Sequence, residues 1–126
     1  MELDHLQETS DCLRATRALS RVGDKWSVLT LMQLATGAQR YGSLKRRIAG
    51  VSPKMLASTL RGLERDGLLA RTVHPTNPPS VEYALTELGN ELVEPVQGLG
   101  AWVLANIERL EEARARYDAE NASRAT

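Results

Sequence analysis

Lys54, Ser58, Arg61 and Arg65 recur at i, i+4, i+7 and i+11, a spacing that stacks them on one face if the segment is an α-helix. Such a row of cations and a hydroxyl can grip phosphate oxygens and reach the base edges of a DNA major groove. The row sits inside a basic block. From Arg40 to Arg71 the chain has eight basic residues (Arg40, Lys45, Arg46, Arg47, Lys54, Arg61, Arg65, Arg71) against Glu64 and Asp66, a net of +6 in a chain of net charge zero. The rest of the chain is therefore left with −6. A basic block in an otherwise acidic chain is the footprint of a polyanion-binding face, although a solvated basic helix face would have the same composition.

Catalytic chemistry has far less to draw on. A nucleophile needs a base within hydrogen-bond reach, and the only such groups are Cys12, His5 and His74, with no spacing that brings them together. An enzyme is therefore not expected. One cysteine excludes an internal disulfide and a multi-cysteine zinc site, which suits a reducing compartment, and no cofactor or metal is called for. The five aromatic residues are scattered, and Tyr41 alone lies in the basic block, so single-stranded RNA recognition by stacking is disfavoured. Trp26 and Trp102 read as packing residues.

The elements that must position the basic row follow from caps and periodicity. At 126 residues and 42% hydrophobic content the chain is read as one soluble domain, 1–126. Its longest uncharged stretch, Trp26 to Gln39, is 14 residues, too short to span a membrane, and the acidic start is unlike a secretory signal, so a cytoplasmic location is expected. Residues 1–10 form an arm. A first helix runs over 11–22 to Gly23, and Asp24 caps a second that is apolar on nearly every side up to Gly37. Ser43 opens a short third helix, with Leu44 and Ile48 inward and Lys45, Arg46 and Arg47 outward. Ser52-Pro53 is a strong start signal for a fourth helix, Ser52 to Asp66, whose Leu56, Leu60 and Leu63 make the buried stripe. Leu69 to Val73 and Val81 to Leu85 then read as two strands around a proline-rich tip, a wing over 69–85. Thr86 caps a C-terminal helical region over 86–117, with a kink or break expected around Pro95, Gly98 and Gly100. Residues 118–126 are read as a charged tail.

Two short helices joined by a tight turn, a basic ridge on the second, and a hairpin directly after it describe a winged helix-turn-helix. The fold class is mostly α with a small β-hairpin. On this reading Lys54, Ala57, Ser58 and Arg61 face bases, while Arg65, Ser43, Ser52, Lys45, Arg46 and Arg47 hold the backbone. The wing from Thr72 to Leu85 has no Lys or Arg, so its hold on phosphate falls to His74, Thr76, Asn77 and Ser80. Leu13 and Leu19 of the first helix, with Leu99, Trp102, Val103, Ile107 and Leu110, carry more apolar surface than a small monomer hides readily. A two-fold dimer on a pseudo-palindromic double-stranded DNA site is expected. The competing reading is a winged helix that binds protein, but the ridge has Lys, Ser and Arg where such a surface would have apolar anchors.

Several segments also resemble, in order and spacing, the HxlR-type bacterial transcription regulators. They are Cys12, Gly23-Asp24-Lys25-Trp26, Arg40-Tyr41-Gly42-Ser43-Leu44, Val51-Ser52-Pro53-Lys54-Met55-Leu56, Leu60 through Leu68, and Pro78 through Gly89. The resemblance covers roughly Cys12 to Trp102. It implies a dimeric winged-helix repressor or activator, with the first helix and the C-terminal helices as N- and C-terminal dimerisation helices. Members commonly place a basic residue where this chain has Ser80, and often Phe where it has Tyr41. Some members sense electrophiles or oxidants through a cysteine near position 12, and Arg14 and Arg17 nearby would favour a thiolate. A small buried packing residue is the other reading of Cys12, and the preferred one. The resemblance thus adds a small-molecule or electrophile effector to the expected partners.

Overall fold

The computed structural model describes residues 10–125, which leaves His5 and nearly all of the expected arm outside the described residues. Its elements are α1 (Ser10–Val22), α2 (Lys25–Leu34), β1 (Gln39–Arg40), α3 (Tyr41–Arg47), α4 (Pro53–Arg65), β2 (Leu69–His74), β3 (Ser80–Leu85), α5 (Glu87–Ala105) and α6 (Ile107–Ala125). The architecture is a winged helix-turn-helix, mostly helical with a small antiparallel sheet. By internal contacts the chain divides into one unit ending at Val93 and another beginning at Glu94.

Local chemistry explains where the helices of the first unit start. The Asp24 carboxylate accepts both Ser27 N–H and Ser27 Oγ–H, at 3.0 and 3.1 Å, and so caps α2. Ser52 does the same for α4, accepting Met55 N–H at 3.1 Å, with Pro53 at the first helical position. Past the C-cap Asp66 the chain leaves α4 through Gly67, whose φ of +76° lies in the left-handed region that glycine enters without a Cβ penalty. Leu68 N–H then donates back to Leu63 O at 2.9 Å, and the chain turns directly into β2.

Leu31, Leu34, Leu44, Ile48, Val51, Leu56, Leu60, Leu63, Leu68 and Leu69 form one buried cluster, with Trp26, Tyr41, Tyr83, Leu85 and Leu92 packed against it. α2 contributes Leu31 and Leu34 to it, whereas Leu29 stays exposed although the helix is apolar on nearly every side. Its buried Thr30 hydroxyl is satisfied within the helix, donating to Trp26 O at 2.7 Å.

The sheet has three strands in the order β1-β3-β2, not the two of a simple hairpin. β1 pairs Gln39 with Tyr83 and Arg40 with Glu82, and β2 pairs with β3 from Leu69↔Leu85 to His74↔Ser80. A two-residue strand has no periodicity to reveal it in sequence; pairing with β3 creates it. It also moves the start of α3 to Tyr41. Arg40 is the extended N-cap and makes no side-chain cap bond, whereas Ser43, expected to open the helix, lies inside it.

α5 is one helix through Pro95, and the break expected there falls instead at Asn106. Proline removes its own N–H and crowds the carbonyl four residues back, which can bend a helix without ending it, and Gly98 and Gly100 permit a turn without forcing one. At the break the Asn106 N–H is shared between Trp102 O and Val103 O, both at 3.1 Å, and its side-chain Nδ2–H adds a second donor to Trp102 O at 2.8 Å. Beyond it α6 is helical to Ala125, where a charged tail was expected.

Candidate nucleic-acid interface

α4 turns Leu56, Thr59, Leu60 and Leu63 into the core and leaves Lys54, Ser58, Arg61 and Arg65 exposed, with Ala57 half-buried on the flank. The four exposed side chains are the row that the spacing predicts. α3 adds exposed Arg46 and Arg47 and half-buried Lys45. Among the described residues the Arg–carboxylate ion pairs are Arg14–Asp11 and Arg21–Asp66, so none of these Lys and Arg side chains on α3 and α4 is neutralised by a carboxylate.

Two open depressions adjoin these helices, one beside α3 and one beside α4. One, of about 590 Å³, is lined by the turn from Thr36 to Arg40 together with Gly42, Ser43, Arg46, Arg47 and Glu82. Its floor is ordered by a buried amide: Gln39 Nε2–H donates to Gln33 O at 2.7 Å and to Thr36 Oγ1 at 3.2 Å, while Gln39 Oε1 accepts Ser43 Oγ–H at 3.2 Å. The hydroxyl of Ser43 is thus engaged in holding the turn, and that of Ser52 in capping α4. The other depression, of about 340 Å³, lies between α4 and the sheet, lined by Tyr41, Ala57, Leu60, Arg61, Glu64, Arg71 and Tyr83. Tyr41 also ties α3 to the start of α4, its hydroxyl donating to Pro53 O at 3.3 Å.

Arg71 belongs to this face, although the charge count alone did not assign it a place. The signal was available: Leu69 is buried, and in a strand Leu69 and Arg71 share a face, so Arg71 must lie on the α4 side of the sheet. Gln39 gave no such signal, because burial of a lone Gln follows only from the turn that encloses it.

The wing carries less. His74 Nε2 is buried without a hydrogen-bond partner, 3.8 Å from Glu82 Oε2, so it turns toward a carboxylate on the neighbouring strand. Ser80 is half-buried opposite it. Asn77 is exposed at the tip, in a cis peptide with Pro78, and Thr76 braces the tip by donating from Oγ1 to Pro78 O at 2.7 Å.

The remaining predicted residues lie elsewhere. Cys12 is a free thiol in the first turn of α1, half-buried, and Arg14 beside it is paired with Asp11. No residue of α1 is buried, and Leu13 and Leu19 are 64% and 62% exposed. In α5 and α6, Leu99, Trp102 and Ile107 are exposed, whereas Val103 and Leu110 are half-buried. Among the described residues no group of His, Cys, Asp and Glu could hold a metal, and no helix is long and apolar enough to cross a membrane.

A family model described as HxlR-like helix-turn-helix matches residues 21–111. The chain is 46% identical over 89 residues to the uncharacterized HTH-type transcriptional regulator YtfH of Escherichia coli (strain K12), covering 71% of each chain. Among solved structures it is similar to the putative transcriptional regulator ytfH from Salmonella typhimurium, with a TM-score of 0.75, 40% identity, and coverage of 80% of this chain and 90% of that one. It is also similar to the redox regulator HypR in its oxidized form, with a TM-score of 0.69, 32% identity, and coverage of 74% and 96%.

Proposed function

The chain belongs to the HxlR-like helix-turn-helix family of transcriptional regulators, which are not enzymes, and from that premise we propose that this DNA-binding regulator acts as a dimer on an inverted repeat read by α4. The observation that carries the reading is the α4 row itself, four exposed side chains without carboxylate partners among the described residues, directly opposite the core stripe. Lys54, Ala57, Ser58 and Arg61 meet base edges. Arg65, Lys45, Arg46, Arg47 and Arg71 meet phosphates, and His74, Asn77 and Ser80 add a weakly charged wing contact. Ser43 and Ser52 serve this face mainly by fixing the turn and the cap.

Two copies are needed because one helix and one wing bury little area, and paired half-sites about 34 Å apart place two α4 helices on one side of the duplex. The exposed apolar residues of α1, and separately those of α5 and α6, are the surface that supports this dimer. Effector control at Cys12 is supported by its half-exposed free thiol and by the likeness to the redox regulator HypR. A protein-interaction role is disfavoured by the absence of large apolar anchors on the α4 row.

The test is to incubate purified protein with fragments of its own genome and sequence what is retained, with and without a thiol-reactive quinone. Enrichment of an inverted repeat is expected. Retention of no sequence above background would overturn the reading and move the protein toward the interaction class.

A further inference from the structure

We propose that Arg21 is a positioning residue that fixes α1 against the recognition helix and thereby sets the half-site spacing the dimer accepts. The proposal rests on the dimeric DNA-binding reading above. α1 buries no residue, so apolar packing does not fix its angle to the unit. The chain joins it to α2 through the turn at Gly23, whose N–H donates to Leu19 O at 2.6 Å. Its one ion pair to another element, among the described residues, is Arg21 Nε–H to Asp66 Oδ2 at 3.0 Å, and Asp66 is the C-cap of α4.

The guanidinium does more than pair. Gly62, buried on the α1 side of α4, has no Cβ, and the Arg21 guanidinium fills the space that a Cβ would occupy. Alongside this contact the space between the helices is open, about 370 Å³ lined by Arg17, Ser58, Thr59 and Asp66 among others. Arg21 therefore acts as a strut across a gap, seated on one helical turn of α4 and bonded to its end. α1 carries the exposed Leu13 and Leu19 assigned to the dimer contact, and α4 carries the reading row. The angle that Arg21 holds between them fixes where each α4 stands relative to its two-fold mate.

Gly62→Ala separates this role from ordinary stabilisation. A methyl group there displaces only the end of a flexible side chain, and alanine favours the helix, so the variant should melt at or above the wild-type temperature. The experiment measures binding of wild type, Gly62→Ala and Arg21→Ala to the enriched inverted repeat and to versions with two base pairs inserted or removed between half-sites. That change rotates one half-site by about 70° relative to the other. Wild type should lose about tenfold on the altered spacings, while both variants lose less than about threefold and keep wild-type affinity for non-operator DNA. Undiminished spacing preference in either variant would overturn the role of Arg21. Failure of the wild type to enrich any inverted repeat would instead overturn the reading beneath it.

Discussion

Arg71 is the partner of Tyr83 across the β2–β3 ladder, and both line the depression that holds Arg61 of α4. The strand thereby delivers a guanidinium beside the reading helix, although the rest of the wing has neither Lys nor Arg. Arg61→Ala should cost about 1 to 3 kcal/mol of operator binding and relax selectivity at one base position. Arg71→Ala and Lys45→Ala should instead weaken all sequences alike and reduce the salt slope by about one each. Titrating an operator and its single-base variants across salt concentration separates the two behaviours, and equal loss on every sequence from all three would remove the division of roles.

Gly89 demands a different kind of test, because the first turn of α5 lies directly on the carbonyl of Leu68. A Cβ at 89 would run into that backbone oxygen, which, unlike the end of a side chain, cannot swing away. Gly89→Ala should destabilise the fold by at least the 1 to 3 kcal/mol typical of overpacking, roughly. Urea unfolding checks it: a midpoint unchanged from wild type would show that α5 shifts freely.

Removing the Gln39 amide leaves the carbonyl of Gln33 and the hydroxyl of Ser43 without the partner around which the turn is built. Gln39→Leu should therefore cost about 1 to 3 kcal/mol despite its greater hydrophobicity. Thermal unfolding of the two proteins should show the lower melting temperature, and a stabilised variant would contradict the assigned network.

Trp102 and Leu99 expose 56% and 62% of their surface. If they form part of the dimer contact, Leu99→Glu with Trp102→Glu should yield a monomer by light scattering at micromolar concentration and abolish preference for the inverted repeat over a single half-site. A double variant that remains dimeric would move the contact elsewhere.

Cys12→Ser gives the most direct view of effector control. The wild-type protein should leave its operator on quinone treatment while the variant stays bound, as read by gel mobility shift. Equal release of both proteins would eliminate Cys12 as the sensor.

Much of this architecture could be read from local chemistry. Ser52-Pro53 announced α4, the i, i+4, i+7 spacing separated its core stripe from its basic row, and alternation at Val81, Tyr83 and Leu85 marked β3. The misread parts depend on partners distant in sequence or on competition among local signals. β1 exists because Gln39 and Arg40 meet Tyr83 and Glu82, more than forty residues away. At the other end of the chain, α5 runs through Pro95 and ends before Asn106, where an N–H shared between Trp102 O and Val103 O marks a break that no single residue type announces. Within the candidate site, hydroxyl type alone did not distinguish Ser58, exposed on the row, from Ser43 and Ser52, whose oxygens are engaged in holding the turn and the cap.

The short pairing of β1 with β3 reaches beyond the sheet. It fastens the middle of β3 to the residues immediately before α3, coupling wing and helix-turn-helix like the two jaws of a caliper. Fitting such a reader to a duplex transfers the cost of deformation to the DNA. Pyrimidine–purine steps bend cheaply and A-tracts resist, so operator strength should vary with base pairs that no side chain touches. Exchanging only the central, uncontacted steps of an operator should change its affinity as a contact mutation does, and indifference to them would mean that the caliper flexes after all.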